Sequence, residues 1–113
     1  VTHIEDLFEA GRQIRTSNKF IGISSGLSWL AWALDVDVCL ISGFTWDFVE
    51  FNCDIRIINH NVCSGCWSYT VFDRGDWNWC PIQKGTPKQF ECTKTISPEY
   101  VFQEIETSGW FNI

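Results

Sequence analysis

Four cysteines, Cys63, Cys66, Cys80 and Cys92, follow the spacing C-x2-C-x13-C-x11-C. Thiolate is a soft, strongly metal-binding group. Four of them among turns rich in Gly, Trp, Asp and Pro make a tetrahedral metal site the leading reading. The set suits Zn²⁺ or a single iron ion equally, with zinc the commoner and an Fe–S cluster less natural at these spacings. Two other cysteine chemistries compete. All six cysteines could pair as disulfides, but the chain has no Asn-x-Ser/Thr acceptor, and Cys39 lies inside the apolar run 36–41, where a lone thiol reads as a small core hydrophobe. A redox Cys-x-x-Cys is disfavoured because two further cysteines stand ready to ligate. His60, three residues before Cys63, and Cys53 are spare ligands expected to stay outside the set. Trp67, Trp77 and Trp79 are expected to shield the metal and to pack the segment onto the rest of the fold.

A second group of residues could hold an anion. The turn Gly22-Ile23-Ser24-Ser25-Gly26-Leu27-Ser28 leads from an apolar β-type run into an apolar helix-type run. A helix N-terminus carries unpaired N–H groups and the positive end of the helix dipole, so it can bind phosphate. Gly26 would admit a ligand close to the backbone, and the hydroxyls of Ser24, Ser25 and Ser28 would add donors. The plainer reading makes Ser24 or Ser25 an N-cap beside a packing glycine, and both readings stand at this point. The turn is neither a P-loop nor a Gly-x-Gly-x-x-Gly dinucleotide turn. No carboxylate pair suggests acid–base catalysis. Asp47 and Glu50 follow a predicted strand and could bind hydroxyl groups, although a solvated role is the plainer expectation; Asp73 and Asp76 flank Arg74-Gly75 in what reads as a surface turn.

These groups need elements to position them. Thr2-His3-Ile4-Glu5 is a capping-box pattern, and Ile4, Leu7, Phe8, Gly11 and Ile14 share one face of a helix over residues 3–15. Strands are expected at 20–23, 36–41 and 55–58, with a buried helix at 27–34 that is apolar on nearly every face. Strand, helix, strand with short apolar β-segments implies parallel pairing through a right-handed crossover. The fold class is therefore α/β, half of a Rossmann-like doubly wound parallel sheet, with a loop-rich four-cysteine finger and a C-terminal helix. Three parts are expected: 1–60 as the Rossmann-like portion, 61–95 as the metal-binding finger, and 96–113 as a helix packing back on the sheet. Ser97 caps that helix, Pro98 takes its first position, and Val101, Phe102 and Ile105 form its buried face.

Composition narrows the function classes. Hydrophobic content of 45% with 16% aromatics fits a packed core rather than disorder. A net charge of -6 gives no support to nucleic-acid binding. No uncharged apolar run reaches the roughly 18 residues of a transmembrane helix, so no membrane partner is expected. The chain starts at Val1 without a basic, apolar leader pattern.

Two segments are familiar in combination. Residues 22–34, Gly-Ile-Ser-Ser-Gly-Leu-Ser-Trp-Leu-Ala-Trp-Ala-Leu, resemble the donor-binding turn and helix of heptosyltransferase-type GT-B glycosyltransferases. Residues 61–67 (Asn-Val-Cys-Ser-Gly-Cys-Trp), 72–81 (Phe-Asp-Arg-Gly-Asp-Trp-Asn-Trp-Cys-Pro) and 90–94 (Phe-Glu-Cys-Thr-Lys) resemble the C-terminal cysteine finger of one branch, the bacterial autotransporter (O-linked) heptosyltransferases. The resemblance runs from about residue 4 to 106, and the cysteine segment is its more specific part. It implies a cytoplasmic enzyme that glycosylates adhesins from ADP-heptose. It implies that Cys63, Cys66, Cys80 and Cys92 bind one structural iron ion, with zinc as the alternative. It further implies that Ser24, Ser25, Gly26 and Leu27 face the donor diphosphate. GT-B enzymes work between two Rossmann-like domains and keep the catalytic base in the first, whereas this chain has room for only the last part of the second. Trp29 stands where related lipopolysaccharide heptosyltransferases tend to carry His.

The expected function is thus a donor-binding C-terminal piece of an O-glycosyltransferase. Its partners are a nucleotide sugar and a protein or glycan acceptor, with a homo-oligomer allowed, and the piece is catalytically dead by itself. The competing class is a stand-alone metal-stabilised interaction module.

Overall fold

A computed structural model of the protein describes residues 6–43 and 45–110. Three strands, β1 (Lys19–Ile23), β2 (Asp37–Ile41) and β3 (Ile55–Ile57), form one parallel sheet in the order β1-β2-β3. β1 and β2 lie where a mostly apolar run is bounded by polar residues, as expected of strands in a parallel sheet, whereas β3 is interrupted by Arg56. Helix α2 (Gly26–Ala33) joins β1 to β2. The connection from β2 to β3 contains only a 3-10 turn at Asp47–Val49 among its described residues, so this half departs from a regular doubly wound pattern. Phe51 takes the place of a helix there. Its ring is buried and stacks on Trp32 at 5.6 Å and edge-on to Trp29 at 4.9 Å.

The two faces of the sheet are covered unequally. On one side, Ile14 of α1 (Leu7–Arg15) and Ala31 of α2 pack with Val38, Leu40 and Phe51. On the other, Ile105 of the long helix that ends the described chain meets Cys39 and Ile57. Burying one such aliphatic side chain stabilises the fold by about 1.5–3 kcal/mol. Cys39 is fully buried, as a core thiol should be, and burial pushes its pKa up to about 11. Beyond that helix the second face is open: Ile21, Ile41, Val101 and Phe102 line an aliphatic groove.

Helix ends follow local chemistry, with some shifts from expectation. Asp6 caps α1, its Oδ1 accepting from the Phe8 N–H at 2.8 Å; the expected capping box at 2–5 lies outside the described residues. Ala10 and Ile14 are the buried face of α1, whereas Leu7 and Phe8 point to solvent, Phe8 being 89% exposed. Apolar periodicity identifies a helix but does not guarantee a partner for every apolar residue on it. Likewise α2 buries only Ser28 and Ala31, and Leu27, Trp29 and Trp32 are partly exposed. Two one-turn helices, α3 (Cys66–Tyr69) and α4 (Glu91–Lys94), carry two of the cysteines. The final helix, α5 (Pro98–Ser108), starts as expected, with Ser97 Oγ accepting from the Tyr100 N–H at 3.1 Å, and stops at Gly109 in the left-handed region. Its Phe102 is exposed, however, because it faces the open groove rather than the sheet. No described helix is long and apolar enough to cross a membrane.

Candidate donor edge and cysteine centre

The strands end in register, Ile23 beside Ile41 and Ile41 beside Ile57. The described residues that follow them, 24–27, 42–43 with 45–50, and 58–64, therefore share one edge of the sheet. Carboxyl edges of parallel sheets are where α/β proteins bind ligands.

At the end of β1, Ser25 is the N-cap of α2 by backbone geometry, yet its side chain makes no capping hydrogen bond. The orphan N–H groups of the first turn are consequently served by no local hydroxyl. Apart from its chain neighbours and the backbone of its own helix, nothing lies within 4 Å of where a Cβ on Gly26 would stand, so no other part of the fold covers this face of the turn. Ser24, Ser25, Gly26 and Leu27 are thus brought together at one helix N-terminus. Ser28 does not join them. It is fully buried, and its Oγ donates to the Ile23 carbonyl at 2.5 Å. Gly22 makes that contact fit, since a Cβ there would lie 2.7 Å from Ser28 Oγ.

At the ends of β2 and β3 stands a polar cluster that the sequence only hinted at. Arg56 Nη2 donates to Ser42 Oγ and to the Thr45 carbonyl, each at 3.2 Å, and forms an ion pair with Glu50. Thr45 Oγ1 donates to Glu50 Oε1 at 3.0 Å. The Glu50 side chain is only 2% exposed, which corrects its expected solvated role, and its Oε2 has no hydrogen-bond partner among the described residues. Arg56 was missed because an arginine between two isoleucines in a short strand gives no sign of its partner. Asp47, by contrast, is exposed.

The four cysteines converge after β3. Cys63, Cys66, Cys80 and Cys92 line one small cavity of about 10 Å³. Burial first, then the neighbouring Cys92 and Cys80, push the Cys66 thiol up to about 11; the same causes raise Cys63. Cys80 is buried and accepts the Phe90 N–H at 3.4 Å. Cys39 and Cys53 stand apart from the set; Cys53 Sγ donates to the Ile55 carbonyl at 3.3 Å. All six cysteines are free. A soft four-sulfur lining fits iron or zinc chemically. Among the described residues, though, no three His, Cys, Asp or Glu side chains are drawn in to a metal-holding arrangement. The sulfurs surround a cavity rather than close on a point.

The cysteine segment is anchored on the sheet edge. The Gly65 N–H donates to the Gly43 carbonyl at 3.0 Å, and Ser68 Oγ accepts the Trp46 N–H at 3.0 Å. Trp46 also meets Tyr69 ring to ring at 5.4 Å. Trp67, Phe72 and Trp79 instead form a cluster within the segment. Trp77, expected to shield the metal, is 99% exposed.

The three-stranded parallel sheet with flanking helices defines the class of the fold as α/β. No protein-family model matches the chain. It is 48% identical over 96 residues to the autotransporter heptosyltransferase Aah of Escherichia coli, a match covering 83% of this chain and 25% of that protein. It is 49% identical over 86 residues to TibC of E. coli O78:H11, covering 74% of this chain and 21% of the relative. To BimC of Burkholderia thailandensis, described as an inactive autotransporter heptosyltransferase, it is 41% identical over 101 residues, covering 88% of this chain and 24% of the relative. The crystal structure of dodecameric, iron-containing TibC in complex with ADP-D-β-D-heptose superposes with a TM-score of 0.84 at 42% identity, over 93% of this chain and 28% of that one. The chain is a homologue of the autotransporter heptosyltransferases and corresponds to their C-terminal part. It spans about a quarter of the length of the curated relatives it matches.

Proposed function

We propose that this chain is the donor-binding, C-terminal piece of a heptosyltransferase-like glycosyltransferase acting in the cytoplasm. The complete enzyme would transfer a sugar from a nucleotide diphosphate such as ADP-heptose to a hydroxyl of a protein or glycan. Ser24, Ser25, Gly26 and Leu27 hold the donor diphosphate: their backbone N–H groups and the α2 dipole stabilise the negative charge that grows on the leaving group. The observation carrying this reading is the uncapped, sterically open N-terminus of α2 on the carboxyl edge of the sheet. The ADP-heptose held by the TibC neighbour supports it.

Cys63, Cys66, Cys80 and Cys92 would hold one iron ion, or zinc in its place. When bound, the metal supplies four coordinate bonds that staple a segment poor in buried core. The cysteines themselves take no part in transfer. Their role is to hold the 61–95 finger against Gly43 and Trp46 at the ligand edge. The dodecameric state of TibC makes a homo-oligomer the expected assembly of the longer protein.

Titration calorimetry with ADP, using the metal-loaded chain, tests the donor site. Binding should weaken about ten-fold or more when Gly26→Val crowds the first turn, since one lost charge-assisted hydrogen bond is worth about 1.5–3 kcal/mol. Unchanged affinity in the variant, or no binding in the native chain, would sink the reading. Similarity to the inactive BimC favours a second reading, a metal-stabilised interaction module without catalysis. That reading requires metal-dependent folding with no nucleotide binding.

A further inference from the structure

Phe90 is the backbone outlier of the cysteine segment. It adopts φ +60° and ψ +23°, the left-handed region that is unfavourable to a residue with a Cβ. Among the described residues, Asp35 is the other non-glycine residue with a positive φ. Asp35 follows the end of α2, and its short polar side chain tolerates that conformation. A bulky aromatic residue does not, so its surroundings must hold Phe90 there.

The hydrogen bonds show what the bend achieves. The Phe90 N–H donates to Cys80 Sγ at 3.4 Å. Its carbonyl accepts from the N–H groups of Thr93 and Lys94 at 3.0 and 2.8 Å, which opens α4, the turn that carries Cys92. One residue therefore ties a first cysteine to the turn that presents a second. Gly65 opens α3, the turn of Cys66, in a similar conformation. Its N–H goes to the Gly43 carbonyl instead, so that bend fastens the segment to the sheet and gives nothing to sulfur.

We infer that Phe90 is a positioning residue of the cysteine centre, its backbone N–H aimed at Cys80 Sγ to stabilise the charge of a metal-bound thiolate. The inference rests on the metal reading above and adds what supports the charge. Four thiolates outnumber the charge of the ion they hold, so the loaded centre is an anion. Cys80 is 8% exposed, and water offers its sulfur little solvation. Among the described residues, no Lys or Arg lines the quartet's small cavity, whereas Glu91 does and has the wrong sign to help. Arg74 lines the neighbouring aromatic cavity instead. Backbone and hydroxyl donors are left to compensate: Phe90 for Cys80, and Thr93 Oγ1, 3.7 Å from Cys92 Sγ, for Cys92.

The test is the reduction potential of the iron-loaded 113-residue chain, in which an electrode exchanges one electron with the iron and no bond is made or broken. A donor to sulfur favours the more electron-rich ferrous state. Replacing the Phe90 amide by an ester, through semisynthesis, removes the N–H and keeps the ring and the Phe90 carbonyl. The ferric–ferrous equilibrium should then move about ten-fold toward ferric, a potential lower by about 59 mV. Phe90→Gly keeps the N–H and relieves the left-handed bend, but removes a ring that lines the aromatic cavity with Phe72, Trp77 and Trp79. It should hold the equilibrium within about three-fold of the native chain. An unmoved potential in the ester would overturn the role of the N–H. An equal shift in Phe90→Gly would assign the effect to the ring and overturn it too. Failure of the native chain to take up iron or zinc would overturn the metal reading itself, and this inference with it.

Discussion

Glu50 and Arg56 form an ion pair largely withdrawn from solvent. An ion pair this buried must recover the cost of leaving water through its hydrogen bonds, and Ser42 and Thr45 supply them. Removing one partner strands the other. Arg56→Met should therefore destabilise the chain by about 3 kcal/mol in urea unfolding, because Glu50 is left charged in a site it cannot leave. The double variant Glu50→Leu with Arg56→Met should recover much of the loss. If the double variant were as unstable as the single one, the cost would lie in packing rather than in an uncompensated charge. Nothing in the spacing of Glu50 and Arg56 discloses this pairing, because it joins a loop to a strand through a fold the residues do not themselves encode. The four cysteines were legible for the opposite reason: thiols at paired spacing have few roles, and the candidate site inherits that economy.

At the level of elements, legibility followed how completely a segment is enclosed. The strands could be read directly, since runs such as residues 38–41 are apolar throughout and lie inside a sheet covered at least in part on both faces. Leu7, Phe8, Trp29 and Phe102 misled for a physical reason: an apolar face shows which side a helix would bury, not whether anything is there to cover it. The junction between sheet and cysteine segment was invisible for another reason, since it depends on backbone conformation. Gly65 adopts φ +76°, and a Cβ there would stand 1.7 Å from Trp46 Nε1. Gly85 has a similar φ of +78° but no neighbour within 4 Å. The two glycines separate strain from collision. Gly85→Ala should cost only the left-handed backbone penalty, about 1–2 kcal/mol. Gly65→Ala should cost clearly more and should speed amide exchange at Ser68 and Trp46, because the first cysteine turn can no longer seat on the indole. Equal losses in the two variants would mean that Trp46 yields freely and that the junction is looser than its contacts imply.

Across the whole molecule, stability is divided between a sheet held by apolar burial and a segment with little burial of its own. Among the described residues, both clusters of buried apolar residues gather on the sheet, and the segment 61–95 contributes to neither. Its thiols nevertheless face one another, and burial with mutual proximity raises Cys63 and Cys66 above the ordinary thiol value. A metal entering this cavity must displace protons from groups that hold them tightly, so its binding weakens as the solution becomes more acidic. The sign follows from the raised thiol values: lower pH favours the protonated thiols, and protonated thiols release metal. Metal content measured by atomic emission should fall steeply between about pH 8 and about pH 5, and chelation at neutral pH should have the same structural effect. Hydrogen exchange should then quicken first across 61–95 and at Gly43 and Trp46, which are tied to the segment through Gly65 and Ser68. Protection in β1 and β2 should persist, because Val38, Leu40 and Cys39 are buried in clusters that contain none of Cys63, Cys66, Cys80 and Cys92. Simultaneous loss of protection in both regions would make the metal a condition of the entire fold, whereas no response in 61–95 would remove the structural role assigned to the quartet.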